Sequence, residues 1–559
     1  MNNSTIADNF SLLAKLMDIH ADNSFKAKSY SSAAFAIEKL PIELSSIEPR
    51  EKIFSFKGIG ESTGKKIIEL LETNQLSALN EYIQKTPSGV IEMLNIKGIG
   101  PKKISTIWKE MEIETLGELL YACNENRLTL YKGFGEKTQQ GVKDSIEFYL
   151  NNSGFFLFAQ TESYAQLIDG KLNQTFEANE FLLTGAFKRQ LEIIEQLEWV
   201  TSAEQDELKS FFLNNGFKII KEEAGYISFK GKENMTLGFY CCDESQLYNQ
   251  LFATSCSEEF LQSWIEATGW DATNPYSSEE EIFDDANCSF IPAFEREDAA
   301  IIELAMQHNL PIVIQPSDIK GIIHSHSKWS DGQYSLDDMA KACIEKGFQY
   351  FVISDHSKTA FYAQGLREEQ IIAQHKQIDG LNAKLAPFKI FKSIESDILG
   401  DGSLDYDKDV LNSFDIVIAS VHSNLKMTEE KAMMRLINAI ENPFTSILGH
   451  MTGRLLLSRN GYPIDHEKII DACAANNVVI ELNAHPRRLD MDWRWIKHAI
   501  KKNVLISIDP DAHAIEGFDD CRYGVLVAQK AGLTANENLS SFTLDAFESF
   551  VSQQKNKRK

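Results

Sequence analysis

The chain runs to 559 residues, room for about three to four domains, and its 43% hydrophobic and 25% charged content is ordinary globular material able to bury cores. A net charge of −25 argues against a protein that coats nucleic acid by bulk attraction, without excluding contact through local devices such as backbone amides at helix starts. No basic segment followed by an apolar run opens the chain, no stretch approaches the ~18 apolar residues of a membrane span, and the eight cysteines form no CxxC pair. The expectation is therefore a cytoplasmic chain without membrane anchor, disulfide framework or zinc ribbon.

The first 150 residues read as helical, with an internal repeat. Phe56-Lys57-Gly58-Ile59-Gly60, Ile96-Lys97-Gly98-Ile99-Gly100 and Tyr131-Lys132-Gly133-Phe134-Gly135 are three copies of apolar-Lys-Gly-apolar-Gly. An apolar-periodic helix follows, as over Lys65 to Leu71 and Lys102 to Trp108. This is the pattern of a helix-hairpin-helix unit: the glycines permit a tight turn and let a phosphate reach the amides at the next helix's positive end. Lys57, Lys65, Lys66, Lys97, Lys102 and Lys103 stand where phosphates would lie. Three copies make ordinary glycine turns a poorer account than one copy would.

Between about 155 and 315, strands are predicted at Phe181 to Gly185 and Gly216 to Ile220, and an exposed acidic loop at Ser277 to Asp285. Pro311 to Ile314 then leads through Pro316-Ser317-Asp318 into a segment where short apolar runs begin at Gly321, Phe348, Phe388, Phe414, Thr445, Val478 and Val504. Amphipathic helices are predicted between them, at Leu336 to Lys346, Glu430 to Ile440, Lys468 to Asn476 and Asp492 to Lys502. Such alternation means parallel strands with crossover helices, and seven strands imply a closed or nearly closed barrel.

The chemistry-bearing residues fall at the ends of these runs: His324-Ser325-His326 and Asp331, Asp355-His356, Glu395, His422, His450, then Asp509, Asp511 and His513. In a βα barrel all strands point their carboxyl ends to one face, so these side chains should converge there. Imidazoles suit zinc, iron and manganese, and carboxylates suit harder ions such as manganese and magnesium; a mixed cluster this large can hold several ions, which suits phosphoryl chemistry. His20, His308, His375, His466 and His498 read as packing residues, and His485 stays open.

The last ~240 residues resemble a polymerase-and-histidinol-phosphatase (PHP) domain, a distorted seven-stranded barrel, roughly at the size of one large domain. The resemblance implies divalent ions, three per site, manganese or zinc or else iron, and catalytic roles for His324, His326, Glu395, Asp511 and His513. It implies one ion on His324, His326, Glu395 and Asp511, a second on Glu395, His422 and His450, and a third on Asp331, His356 and His513, with Asp355 orienting a ligand histidine. Asp318-Ile-Lys-Gly321, Asp355-His-Ser-Lys358, Gly453-Arg454-Leu455, Glu481-Leu-Asn483 and Arg488-Leu-Asp490 further resemble the PHP tail of bacterial family X DNA polymerases, as do the helix-hairpin-helix repeats. Lys358, Arg454 and Arg488 are candidate phosphate contacts, with surface ion pairing as the alternative; Gly58, Gly60, Lys97, Gly98, Gly100, Lys102, Lys103, Gly133 and Gly135 are the candidate DNA contacts.

The expected architecture is multidomain: a helical helix-hairpin-helix domain at 1–85 and a fingers-like one at 86–150, an α+β palm at 151–240, a thumb-like part at 241–317, and the α/β (β/α)7 PHP barrel at 318–559. The palm departs from its family. Where family X carries Gly-Ser, two basic residues and an Asp-x-Asp pair for magnesium, this chain has Gly185-Ala186, Lys188-Arg189, then Gln196 and Glu198, and the third Asp falls at Gly238. A neutral Gln and a longer Glu lose the geometry that magnesium demands, so nucleotidyl transfer is expected to be lost. Lys66 matches the family's Schiff-base lyase lysine, but Ser31 and Ser32 stand where basic residues are usual, which favours a phosphate contact. The leading expectation is a monomeric, nucleoid-associated DNA phosphodiesterase, a 3′-5′ exonuclease of repair acting on gapped, nicked or single-stranded ends. The alternatives are an active gap-filling polymerase with exonuclease, a histidinol-phosphate-type phosphatase, and a non-catalytic DNA-binding scaffold.

Overall fold

The three glycine repeats become three equivalent turns. Gly58, Gly98 and Gly133 sit at φ +92°, +96° and +96°, a region that only glycine enters without strain. The apolar residue between each glycine pair, Ile59, Ile99 or Phe134, is buried and anchors its turn in one helical core. The second glycine of each pair precedes a helix, Glu61–Thr73, Pro101–Lys109 or Glu136–Leu150. The protein, seen here in a computed structural model, is described at residues 1, 3–38, 40, 42–150 and 154–559 and divides into two units, Met1–Leu150 and Asn151–Lys559. The expected start of the palm, residue 151, lies outside the described residues.

The second unit begins with a short antiparallel pair, β1 (Phe156–Leu157) with β3 (Ile193–Ile194), beside a five-stranded sheet of β2 (Phe181–Thr184), β4 (Gln196–Thr201), β5 (Lys218–Glu223), β6 (Tyr226–Lys230) and β7 (Thr236–Cys241). Its order is β2-β4-β7-β6-β5, with only the β4–β7 pairing parallel. Trp199, Phe212, Phe229 and Phe239 fill its core. A separate apolar cluster around Phe252, Trp264 and Phe283 follows. Here the acidic stretch expected to be a loop is a helix, Glu279–Asp285. Ser278 caps it by accepting from Glu281 N, acidic residues occupy its positive end, and Ile282 and Phe283 are buried. The acidity that read as solvated loop is partly internal: Glu279 is buried against Arg296 at 2.7 Å and against Lys188.

The remaining strands are β8 (Gly321–Ile322), β9 (Tyr350–Ile353), β10 (Lys389–Asp397), β11 (Ile416–Ser420), β12 (Ile447–Leu448), β13 (Val479–Asn483) and β14 (Ile506–Asp509). They pair in parallel in sequence order, forming the expected seven-stranded sheet. Their near-continuous apolar sequences follow from burial on both faces. The outer face meets the crossover helices, including Leu336–Glu345, Glu429–Ile440 and His466–Asn476, capped by Ser335, Thr428 and Asp465. The inner face packs on the C-terminal helix Leu544–Lys557, whose Phe547 ring stacks on Tyr350 at 4.4 Å. Just past the strand ends a Ser325–Ala512 bridge joins the first strand's lip to the last, so the barrel is nearly closed. No helix among the described residues is long and apolar enough to cross a membrane.

Candidate metal centre

Parallel pairing brings the ligand-type residues to one mouth. His324 lies two residues past β8, His422 two past β11, His450 two past β12 and Asp511 two past β14, while Glu395 projects from within β10. All nine expected residues are buried except His422, whose side chain is still only 5% exposed. Glu395 is at the centre: its Oε1 lies 3.3 Å from His324 Nε2 and 3.0 Å from both His422 Nε2 and His450 Nε2, and its Oε2 lies 2.8 Å from His356 Nδ1. Asp511 Oδ1 lies 3.0 Å from His326 Nε2 and 3.4 Å from His324 Nε2. Asp331 faces His356 Nε2 at 3.6 Å and His513 Nε2 at 3.5 Å.

Among the described residues, three groups have donor atoms close enough to share an ion: His326, Asp331, His356 and His513; His324, His326 and Asp511; and His356, Glu395 and His422. The grouping differs in detail from the one the resemblance implies, because His326 and His356 each stand in two groups, and His450 is in none of the three, though its Nε2 lies 3.0 Å from Glu395 Oε1. The arrangement fits divalent cations. His324 Nε2, His326 Nδ1, Asp331 Oδ2 and Glu395 Oε2 are buried without a well-formed hydrogen bond, and they converge with imidazole and carboxylate neighbours. Buried polar atoms left in that state are costly unless a cation joins them.

The electrostatics point the same way. Burial opposes ionisation of Glu395 and Asp511, yet the histidines around them, His422, His324 and His356 for the first and His324 and His326 for the second, hold both well below the usual carboxylate range. Burial, with His356 and His513 alongside, pushes His326 down to about 3, and burial with Arg488 nearby does the same to His450. Against burial, Glu481 and Asp511 lift His324 well above the ordinary imidazole range, and Glu395 and Asp397 lift His422 to about 10, so His326 and His450 are neutral while His324 and His422 carry protons that a cation would displace on binding. Backbone geometry adds a sign of function: His324 and Asp511 adopt φ of +59° and +52°, a left-handed conformation costing on the order of 1 kcal/mol or more for such residues.

The orienting residues are not the one expected. The hydrogen bonds of Asp355 serve the backbone of the site: it accepts from Ser327 N and Oγ, Ser330 N and Oγ, and Gln374 Nε2, pinning the loop that carries His326 and Asp331. A carboxylate with two oxygens matched by five donors has no site left for an imidazole. The histidines are held instead by Glu481, which meets His324 Nδ1 and accepts from His450 N at 2.5 Å, and by Asp397, 2.7 Å from His422 Nδ1. Asn483 donates to Asp511 Oδ2 at 3.1 Å. Arg435, buried, donates to the carbonyls of Ile398, Leu399 and Ser423, the residues following Asp397 and His422. The sequence signal for Glu481 is a charge inside an apolar strand; for Asp397 it is the i+2 spacing from Glu395, which puts both on one face.

The three candidate phosphate contacts separate. Arg488 is buried at the mouth, its Nε 3.8 Å from Asp511 Oδ2. Arg454 is committed to Asp492 at 2.6 Å and to the carbonyls of Arg488 and Leu489. Lys358 pairs with Glu368 at 2.8 Å. His485, left open by the sequence, accepts from Arg487 N at 3.2 Å, and burial with Arg488 and Arg487 nearby lowers it to about 3. In the first unit Lys97 and Lys102 are exposed, whereas Lys103 turns inward to Gly98 O at 3.2 Å and to the Phe134 ring. Lys66 is half-buried on the helix after the first turn.

A parallel seven-stranded barrel with a buried His/Asp/Glu centre at its carboxyl mouth, preceded by helix-hairpin-helix turns, defines a multidomain protein of the PHP class. The PHP domain family matches residues 323–485, a helix-hairpin-helix domain matches 1–76, and a SAM-like helix-hairpin-helix tandem matches 90–147. Over 565 residues the chain is 31% identical to the DNA polymerase/3′-5′ exonuclease PolX of Bacillus subtilis (strain 168), spanning 96% of this chain and 97% of that one. It belongs to the PolX family. The barrel alone is 29% identical over 224 residues to a probable phosphatase of Thermoanaerobacter sp. (strain X514), covering 38% of this chain and 86% of that protein. A probable phosphatase of Caldicellulosiruptor saccharolyticus is 27% identical over 203 residues, 34% of this chain and 78% of its own.

Proposed function

We propose that the chain is a metal-dependent DNA phosphodiesterase, a 3′-5′ exonuclease acting on gapped, nicked or single-stranded ends in repair. The buried cluster around Glu395 carries this reading, since its donor set and convergence suit divalent cations, which in turn would take the oxygens of a substrate phosphate. DNA as substrate is supported by the three hairpin turns and by the Bacillus relative's name. Three ions, manganese or zinc, would be held on the three groups described, and when bound they supply a water of lowered pKa and charge neutralisation at the phosphate. The protein's own part is orientation. Glu481 and Asp397 fix the rings of His324 and His422, Asp355 fixes the loop of His326 and Asp331, and Arg488, whose Nε is 3.8 Å from Asp511 Oδ2, is assigned to a phosphate oxygen. Lys97, Lys102 and the turn amides are assigned to the DNA backbone, and Lys66 to phosphate contact rather than lyase chemistry. The five-part division at 85, 150, 240 and 317 belongs to this proposal; separate apolar clusters support the later boundaries, while the parts on either side of 85 share one helical core.

We further propose that nucleotidyl transfer is lost. Glu198, paired in register with Gly238, is buried and accepts from Gln196 Nε2 at 2.8 Å and Tyr240 OH at 2.9 Å, and burial pushes its carboxyl up. A carboxylate of that kind resists an ion. A side chain at Gly238 would meet the Tyr226 hydroxyl at 2.7 Å. The two basic residues are also engaged, Lys188 by Glu279 and Arg189 by Glu297 and the Cys256 carbonyl. No metal-type group of side chains occurs in this sheet among the described residues. The test is the purified chain with manganese and 5′-labelled single-stranded, gapped and duplex DNA, with and without nucleotides. Shortening from the 3′ end without extension is expected. Extension that vanishes in Glu198→Ala would restore the polymerase reading, and hydrolysis of small phosphomonoesters with intact DNA would favour the phosphatase reading that the barrel's relatives raise.

A further inference from the structure

The two segments that leave the barrel after Asp397 and after His422 are held by one side chain. Arg435, on the helix Glu429–Ile440, is 1% exposed. Its Nε donates to Leu399 O at 3.0 Å, its Nη1 to Ser423 O at 3.0 Å and its Nη2 to Ile398 O. Nη1 also meets Met427 Sδ at 3.2 Å. Among the described residues no carboxylate forms an ion pair with this guanidinium. Ile398 and Leu399 follow Asp397 at the end of β10, and Ser423 follows His422 just past β11. The same helix grips the first segment a second time, Asn438 Nδ2 donating to Asp401 O at 2.8 Å. It lies so close that a Cβ on Gly402, at φ +87°, would come within 2.8 Å of Arg435 O and 2.5 Å of Asn438 Cβ.

A buried guanidinium that meets only neutral acceptors is a costly choice, since an apolar side chain of similar volume would fill the space without desolvating a charge. What arginine alone offers is a rigid planar fork of N–H donors, able to fix acceptors from separate segments at once. Here those acceptors directly follow a carboxylate and the histidine it touches. Asp397 Oδ1 lies 2.7 Å from His422 Nδ1, and His422 Nε2 lies 3.0 Å from Glu395 Oε1. Drift of either segment would open the first contact and turn the imidazole away from Glu395. We infer that Arg435 is a positioning residue for the ion assigned to His356, Glu395 and His422, acting through the Asp397–His422 contact; this rests on the metal-dependent reading above. The other two groups draw their ligands from the segments after β8, β9 and β14, which the donors of Arg435 do not touch. Loss of the fork should therefore release one ion and spare the rest.

The test measures manganese bound per chain at equilibrium, at a free concentration that just fills the parent, for Arg435→Met and Arg435→Lys. Both lose the planar fork, and lysine keeps the charge. About one ion fewer per chain is expected in each, its affinity lowered about 10- to 100-fold, with the far-ultraviolet circular dichroism unchanged. The same substitutions in a His422→Ala chain should change nothing further, because a residue acting through His422 has no effect once that ring is gone. A packing role for the arginine would lower binding in both backgrounds alike. Parental binding by Arg435→Lys, additive losses in the His422→Ala chain, loss of ions from all three groups, or failure of both variants to fold each overturns the inference alone. A parent chain that binds no manganese overturns the metal-dependent reading and this inference with it, whereas one that binds manganese but leaves DNA intact overturns only the phosphodiesterase reading.

Discussion

Glu481 and Asp397 reach the ring nitrogens of His324 and His422 that face away from the cluster, fixing which nitrogen each ring turns inward. Glu481→Gln and Asp397→Asn should therefore lower metal affinity and hydrolysis about 10- to 100-fold, read as manganese bound per chain and DNA degraded, with the far-ultraviolet circular dichroism unchanged. His324→Ala, Glu395→Ala and Asp511→Ala should abolish hydrolysis outright. Were all of these variants as active as the parent, the chemistry would have to sit elsewhere. Away from the centre, Glu295 is buried, with Oε1 lacking a hydrogen bond, and burial pushes it up to about 7. The folded chain then binds this proton more tightly than the unfolded chain, so stability falls as pH rises from the ordinary carboxylate range to about 7. Glu295→Gln should stabilise by on the order of 1–3 kcal/mol at pH 8 and by little at pH 4.5, measured as unfolding midpoints at both. The ligand histidines were legible because each ends an apolar run; the roles of Glu481 and Asp397 were not, because a charge inside an apolar strand or an i+2 spacing from Glu395 does not tell which histidine the carboxylate reaches until the neighbouring strand is known.

At the scale of elements, the glycine turns separate two reasons for glycine. Gly98, at φ +96°, is required by the turn itself, whereas a Cβ on Gly100, at φ −109°, would meet nothing within 4 Å. Gly100→Val should thus fold normally and yet bind gapped duplex more weakly, since the added side chain keeps a phosphate from the amides of Pro101–Lys109. Lys97→Ala with Lys102→Ala should lower the salt slope, which for three to five neutralised phosphates is about −2 to −5 in the parent. Parental affinity in both variants would make the turns structural only. The repeats were readable from sequence because a turn needs its glycines at fixed offsets. The helix Leu544–Lys557 was not anticipated, since its apolar face matches an interior that exists only after seven distant strands have closed around it. Phe547→Ala should cost about 3–5 kcal/mol, seen in denaturant unfolding.

At the scale of the molecule, part of the chain's acidity is internal: a carboxylate-rich centre, and a helix whose Glu279 pairs with the buried Arg296 and with Lys188. Architecture was legible because strand and helix runs alternate with regular spacing; the acidic helix was missed because charge alone does not reveal which carboxylates have an internal partner. No primer extension is expected in magnesium or manganese, with gapped DNA and all four nucleotides as the measurement. Among the described residues the barrel's first and last strands do not pair along their length; past their ends Ser325 bridges Ala512, each next to a left-handed residue, His324 and Asp511. Both of those residues belong to one metal group. An ion on that group would be a clasp on an open hoop: both lips supply its ligands, so binding it would hold them together. Chelation should then free the amides of His326 and Ala512 to exchange hydrogen while those of β10 and β11 stay protected, so that the hoop loosens at its clasp long before the band gives way.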